Sequence, residues 1–192
     1  MTVTKTADIL GVTKTSISRC FDELEALSIP YVHTKSRGRF LSVPADRKEM
    51  WETIRPVLRN PVIAAYSLKE KVTKNCRLSG ISALAYYTML ESEQVPVYAV
   101  QKKDIASLDI IRSKISSAGE TPGCIVHETG YQIDFEDGKA MDPLSVVLSL
   151  SSEEKEDPRI SLAIDEMLEE FVWSKAWKDS GSISGNTPIS MY

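Results

Sequence analysis

The sequence lacks the residue patterns on which most metal sites, nucleotide sites and disulfide frameworks depend. Its three cysteines, Cys20, Cys76 and Cys124, lie far apart and form no CxxC pair. Because three is also an odd number, we expect neither a disulfide framework nor a zinc site. The chain has no GxxxxGK[ST], GxGxxG or HExxH motif. We therefore predict no metal and no other cofactor.

Long apolar runs are missing as well. No stretch approaches the roughly 18 apolar residues of a membrane-spanning helix, and the N-terminus lacks the charged and apolar regions of a signal peptide. We expect no membrane partner and, by default, a cytoplasmic protein. The hydrophobic content of 42% over 192 residues is enough for one large domain or two small ones with a real core.

Histidine is scarce, which limits the enzyme classes that the sequence allows. His33 lies in a predicted strand, where a structural or phosphate-contacting role is expected. A Cys124/His127 nucleophile pair is conceivable, but residues three apart on a strand point to opposite faces. A cation site is a further alternative, although a solvated turn and a helix cap explain the same acidic residues: Asp134, Glu136, Asp137 and Asp142. We predict that the protein is not an enzyme.

Charge is divided unevenly along the chain. Residues 1 to 80 hold fourteen Lys and Arg against eight Asp and Glu, a net charge of +6, and the remaining residues hold nine against nineteen, a net charge of -10. These add to the total of -4. An acidic total therefore does not exclude a polyanionic partner for the first half.

The most informative stretch, residues 3 to 29, reads VTKTADILGVTKTSISRCFDELEALSI. Its spacing predicts two short helices separated by Gly11, with Val12 inserted into the core and Thr13 capping the second helix. The residues expected to face inward recur at three- and four-residue spacings: Ala7, Leu10, Ile17, Phe21, Leu24 and Leu27. The polar face of the second helix offers nothing to a core, which indicates an external partner.

This pattern resembles the helix-turn-helix, with Ala7 where the helices touch, Gly11 four positions on, and the branched Ile17 six further. In that family the second helix enters the major groove of DNA. The resemblance implies these DNA-binding residues: Thr13, Lys14, Thr15, Ser16, Ser18 and Arg19. Arg19 would pair bidentately with guanine, whereas the hydroxyls carry weaker sequence information. Helix pairs of this kind also occur in proteins that never bind nucleic acid.

The next residues, YVHTKSRGRFLSV, predict a strand at 30 to 33, a turn at 35 to 38 and a strand at 39 to 43. A basic hairpin directly after a helix-turn-helix resembles the wing of the bacterial MarR-like regulators. That resemblance implies phosphate contacts by Lys35, Arg37 and Arg39. A winged helix normally has a further helix ahead of residue 3, so we expect this chain to be part of a longer protein or to receive that helix from elsewhere.

The remaining sequence predicts a smaller mixed domain. A helix is expected at 44 to 58, with Met50, Trp51, Ile54 and Leu58 on one face, and strands are expected at 60 to 68 and 95 to 101. Ser79 caps a helix that runs to 90, residues 104 to 117 form a weaker helix, and residues 123 to 138 form a hairpin. Two helices begin at Asp-Pro pairs, 142 and 157. The last one buries a stripe: Ile160, Ile164, Met167, Leu168 and Phe171.

Together these patterns predict an α+β protein in which an N-terminal winged helix-turn-helix precedes a small mixed α/β domain. The expected boundaries are 1 to 59, 60 to 178, and a disordered tail at 179 to 192. The predicted function is a transcriptional regulator that binds double-stranded DNA, with a homodimer expected. The alternative is a protein-interaction module acting through residues 60 to 178, since SGISALAYY is distantly similar to type IV abortive-infection antitoxins.

Overall fold

A computed structural model of the chain describes residues 1–35, 38–72, 76–105, 121–131 and 138–174. It is a mixed α/β structure. Two short helices, α1 (Val3–Leu10) and α2 (Lys14–Ala26), precede an antiparallel hairpin of β1 (Val32–Lys35) and β2 (Gly38–Leu41). Helix α3 (Arg47–Ile54) and a 3-10 turn (Arg55–Val57) then lead into the rest of the chain.

The second part of the chain is built on a four-stranded sheet with the order β3-β6-β5-β4. Its strands are β3 (Val62–Leu68), β4 (Arg77–Leu78), β5 (Val97–Gln101) and β6 (Cys124–Thr129). The helices are α4 (Gly80–Tyr87), α5 (Lys102–Ile105), α6 (Pro143–Ser149), α7 (Ser152–Glu156) and α8 (Pro158–Leu168), and a π-helical turn (Glu169–Trp173) follows α8. Strands β5 and β6 are parallel, whereas the other pairs are antiparallel.

The main core lies between one face of this sheet and helices α4, α6 and α8. Helix α4 is apolar around most of its circumference, and Ala83 and Leu84 have no exposed surface. Trp51 of α3 belongs to the same cluster and is 3% exposed, so α3 is anchored to this core. The ring of Phe171 packs on Tyr87 with centroids 4.9 Å apart. The predicted stripe of α8 is confirmed, with Phe171 at its half-buried edge.

A second cluster covers the opposite face of the sheet, because successive side chains of a strand point to opposite sides. It consists of Leu68, Val72, Val100, Cys124 and Val126. Sequence periodicity did not predict strand β4 or helix α7. Both are short, at two and five residues, and so show no readable period.

The helix pair and the hairpin have a small core of their own, formed by Ala7, Ile17 and Phe21. The expectation that every periodic apolar residue here faces inward is wrong. Leu10 is 62% exposed, and Val12 and Leu27 are exposed as well. Two helices of eight and thirteen residues cover each other only where they cross, so apolar side chains beyond the crossing meet solvent.

Several helix caps in the structure agree with those that the sequence predicts. Gly11 adopts a left-handed conformation, with φ of 63°, at the end of α1, and the Thr13 hydroxyl accepts a hydrogen bond from the Ser16 amide at 3.1 Å. Asp142 and Asp157 likewise accept amide hydrogen bonds at the starts of α6 and α8, each followed by proline. These four predictions are confirmed because they depend on neighbouring residues alone.

Three element predictions need correction. The helix expected to open at Pro44 begins at Arg47, because the Asp46 carboxylate caps it through the Glu49 amide. It ends at Ile54, where a 3-10 turn that contains Pro56 begins. Leu58 is exposed. The helix that follows Ser79 ends at Tyr87 and not at residue 90.

The predicted hairpin at 123 to 138 is described only in its first strand, β6, which pairs with β3 and β5. Its second strand, most of the helix predicted at 104 to 117, and the tail from 179 lie outside the described residues. Within the described ranges, every helix is too short or too polar to cross a bilayer.

Candidate nucleic-acid interface

The N-terminal half of α2 presents a polar, positively charged surface. Lys14, Thr15, Ser16 and Arg19 are exposed, while Ser18 is half-buried. Ile17 and Phe21, on the opposite face of this part of the helix, pack in the small N-terminal core. The first turn of α2 carries no acidic residue. Its surface therefore suits an anion better than a cation.

Two of the candidate hydroxyls are engaged within the protein. The Oγ atoms of Thr13 and Ser16 lie 2.9 Å apart, and Thr13 also caps the Ser16 amide. These side chains stabilise the start of α2, which leaves Lys14, Thr15 and Arg19 as the freest groups on this surface. Backbone amides in the first turn of a helix also favour phosphate oxygens.

The hairpin lies beside α1 and α2 and is fixed to them by backbone pairing. Thr2 bridges Phe40, and the Leu41 amide donates to the Met1 carbonyl at 2.7 Å. Thr2 also caps α1 through the Lys5 amide. Since Thr2 joins the edge of β2 to the start of α1, the hairpin and the helix pair form one body.

The basic residues of the hairpin differ in how accessible they are to a ligand. Lys35 is exposed and pairs with Gly38 across the end of the hairpin. Gly38 has φ of 129°, a backbone conformation that favours glycine. Arg37 lies outside the described residues. Lys35 is therefore the described cation of this group that remains open to a ligand.

Arg39 is held inside the protein by two ion pairs with α2. Its guanidinium donates to Asp22 at 2.6 Å and to Glu25 at 2.7 Å, and it lies 5.5 Å from the centroid of the Phe21 ring. Its side chain is 24% exposed. Sequence reasoning placed Arg39 with the phosphate-contacting residues and did not foresee this contact. The only sequence signal was the pair of carboxylates three positions apart on α2, one helical turn.

This arrangement matters for the electrostatics of α2. The C-terminal half of the helix carries Asp22, Glu23 and Glu25, which would repel a polyanion lying along it. Arg39 pairs with two of these carboxylates but carries one positive charge, so it offsets one of the three negative charges and leaves this half of α2 less negative. The exposed cations Lys14, Arg19 and Lys35 thus lie beside a flank whose negative charge Arg39 reduces.

The residues considered for catalysis lie elsewhere, on β6. Cys124 packs in the second cluster, where burial raises the pKa of its thiol, and His127 lies on the other face. The Nδ1 atom of His127 is 2.9 Å from the hydroxyl of Ser79. Burial lowers the pKa of His127, which the nearby Glu154 only partly opposes. Ser79 has no exposed surface, so a substrate has no access to its hydroxyl.

This contact also corrects the prediction for Ser79. The residue occupies the cap position of α4, yet its hydroxyl does not cap the helix and bonds His127 instead. Of the acidic residues considered for a cation, Asp142 caps α6, and the other three lie outside the described residues. His33 is exposed on β1, opposite Phe40.

Comparisons of the chain with protein-family models, with curated proteins and with solved structures find no match. Function is therefore inferred from the residues and contacts of this chain.

Proposed function

We propose that the chain is a winged helix-turn-helix regulator of the MarR-like kind that binds double-stranded DNA through α2 and the hairpin. The observation that carries the proposal is the exposed positive surface of Lys14, Arg19 and Lys35 on a body whose small core fixes α2 beside the hairpin. Lys14 and Lys35 would contact phosphates, while Arg19 would reach a base edge in the major groove.

The pairing of Arg39 with two carboxylates of α2 favours this proposal, because it reduces the negative charge of that helix. Without Arg39, Asp22 and Glu25 would face the phosphates of a bound duplex. With Arg39 in place, the hairpin reduces that repulsion and also sets the angle between itself and α2. We accordingly assign Arg39 to positioning, and we expect Lys5, Lys14, Arg19, Lys35 and Arg37 to supply the available charge.

A salt titration tests the proposal. Fluorescence anisotropy with labelled random-sequence duplex would give log Kd against log salt. Phosphate contacts by Lys5, Lys14, Lys35 and Arg37 correspond to a slope of at most about -3.6 per protomer, at about 0.9 per phosphate. Lys14→Gln should reduce that slope by about one, whereas Lys103→Gln, the same change at an exposed lysine of α5, should leave it unaltered. Failure of the full chain to bind duplex at low salt would reject the proposal.

Sequence readout is a separate test. A duplex enriched from a random pool would serve as the specific site. Arg19→Gln should relax the preference for that duplex over random DNA, while Arg37→Gln or Lys35→Gln should weaken both alike. Sedimentation on the enriched duplex would show whether two protomers bind it, as expected of a regulator that recognises palindromes.

A second candidate function, an antitoxin-like interaction module, is favoured by a different surface. A groove of about 610 Å³ beside the end of α4 is lined by Tyr86 and Met89, and Met89 is 98% exposed. Glu166, Glu169 and Glu170 rim the same groove. Exposed apolar groups with a rim of one charge favour a basic partner.

Isothermal titration of the full chain with an amphipathic lysine-rich peptide tests this second candidate. Affinity that falls with Met89→Ser and with Glu169→Gln, while Glu153→Gln on the separate helix α7 has no effect, would support it. Equal affinities for all these variants would contradict it.

A further inference from the structure

A cavity of about 590 Å³ opens between the 3-10 turn after α3 and the connection from α6 to α7. Two cations that lie a hundred positions apart in the sequence, Arg55 and Lys155, line it together. Its apolar lining consists of Leu58, Val147, Leu148 and Leu150. The cavity therefore combines positive charge with an apolar surface, and none of the residues proposed to bind DNA contributes to it.

The positive charge of this cavity is only partly balanced within the protein. Burial and the nearby Arg55 lower the pKa of Lys155, and Glu154 opposes this only in part. The carboxylate of Glu154 accepts the Ser151 amide at 2.6 Å in the capping box of α7. Lys155 forms no ion pair with any residue in the described part of the chain, while Arg55 has only Glu52, at 3.3 Å.

Neutral donors complete the lining. The side-chain oxygen of Asn60 accepts the Val62 amide at 2.8 Å, which leaves the amide NH₂ group of Asn60 as a donor. The hydroxyl of Ser152 also lines the cavity, and it forms no hydrogen bond within the described ranges. A bound anion would thus meet an arginine fork, an ammonium group and two neutral donors.

We propose that this cavity binds a small phosphate monoester that carries an apolar group. A phosphate monoester has a charge of about -1.5 to -2 near pH 7, which matches two cations. Arg55 would take two phosphate oxygens and Lys155 a third. The apolar group would lie on Leu58 and Leu148. The volume falls within the roughly 300 to 1,000 Å³ of small-molecule pockets, and the proposal does not depend on DNA binding.

Calorimetric titration of the full chain with phenyl phosphate tests the proposal, with inorganic phosphate and phenol as comparison ligands. We expect saturable binding of phenyl phosphate at millimolar or lower concentration, weaker binding of inorganic phosphate, and none of phenol. Lys155→Gln and Arg55→Gln should each weaken phenyl phosphate at least about tenfold, because each removes a charged hydrogen bond. Lys103→Gln is the matched control and should bind phenyl phosphate like the unmodified chain.

Three outcomes would overturn the proposal. The first is no saturable binding of phenyl phosphate. The second is an affinity that is the same in the Lys155→Gln, Arg55→Gln and Lys103→Gln chains, or the same for inorganic phosphate as for phenyl phosphate. The third is a chain that does not bind phenyl phosphate and whose Lys155→Gln variant no longer binds duplex DNA. Arg55 and Lys155 would then belong to a surface that binds nucleic acid. Failure of Lys14→Gln to affect DNA would reject the DNA proposal and leave this one standing.

Discussion

Replacing Arg39 with glutamine should loosen α2 and leave the main core unchanged. The guanidinium makes ion pairs of 2.6 Å and 2.7 Å with Asp22 and Glu25 and stacks over Phe21. The carboxylates are 65% and 43% exposed, so solvent screening limits each pair to about 0.5 kcal/mol, with 1 kcal/mol as an upper value. The ring contact adds about 0.5 kcal/mol. The total is about 1.5 to 2.5 kcal/mol.

Amide hydrogen exchange of α2 is the suitable assay. The tryptophans stand at positions 51, 173 and 177, so their fluorescence does not report on the helix pair. A loss of about 1.5 to 2.5 kcal/mol corresponds to exchange that is about 12 to 70 times faster in α2, while the amides of α4 should keep their rates. Asp22→Asn alone should give a smaller increase, and the Asp22→Asn/Arg39→Gln pair should show less than additive effects.

The matched control is Arg159→Gln. Arg159 also forms an ion pair with an aspartate, Asp157 at 2.8 Å, but its side chain is 82% exposed and lies on α8. That change should leave α2 exchange unaffected. If α2 exchange in Arg39→Gln stays within a factor of about two of the unmodified chain, the argument that Arg39 joins the hairpin to α2 is refuted.

Three further predictions concern the rest of the fold. Trp51→Ala should destabilise the protein by about 3 to 5 kcal/mol in urea denaturation. Trp51→Phe should cost much less, since the buried Trp51 Nε1 has no hydrogen-bond partner among the described residues. Equal losses would contradict this prediction. Gly123→Ala should lower Tm more than Gly11→Ala, because a Cβ at 123 would lie 2.3 Å from the Lys69 carbonyl oxygen. A Cβ at 11 has no atom within 4 Å, so alanine there would cost only the strain of its left-handed backbone, about 1 to 2 kcal/mol. The reverse order would refute this prediction. Because burial lowers the pKa of His127 below its usual 6.5, the folded state resists protonation, so stability should hold above pH 6.5 and decline as the pH falls below it. Urea denaturation at several pH values would check this, and a His127→Gln chain that loses the same amount over that range would disprove it.

Sequence periodicity predicted the helix pair, the hairpin and the stripe of α8, because each depends on neighbours or on one repeated face. It failed where two short elements had to cover each other. Leu10 and Leu27 fit the inward pattern of their helices, yet both are exposed because no described residue covers those helix ends. Apolar periodicity identifies which face of a helix is apolar, but it does not show how much of that face a neighbouring element covers.

The candidate interface likewise combines features that the sequence predicted with contacts that depend on tertiary packing. The polar character of α2 between Lys14 and Arg19 follows from composition, and the structure exposes four of its side chains: Lys14, Thr15, Ser16 and Arg19. The sequence predicted that Arg39 contacts phosphate. It did not reveal the ion pairs of Arg39 with Asp22 and Glu25, which are seventeen and fourteen positions away. Such contacts depend on how the hairpin packs against α2.

By itself, the sequence determined the caps at Thr13, Asp142 and Asp157, the turn at Gly11 and the division of charge between the two halves of the chain. These are local properties, set by backbone amides and by the residues beside them. Only the tertiary structure decided that Arg39 pairs with the carboxylates of α2, that Ser79 bonds His127, and that Arg55 and Lys155 share one cavity. Each of these contacts joins residues from separate elements, and packing alone sets their distances.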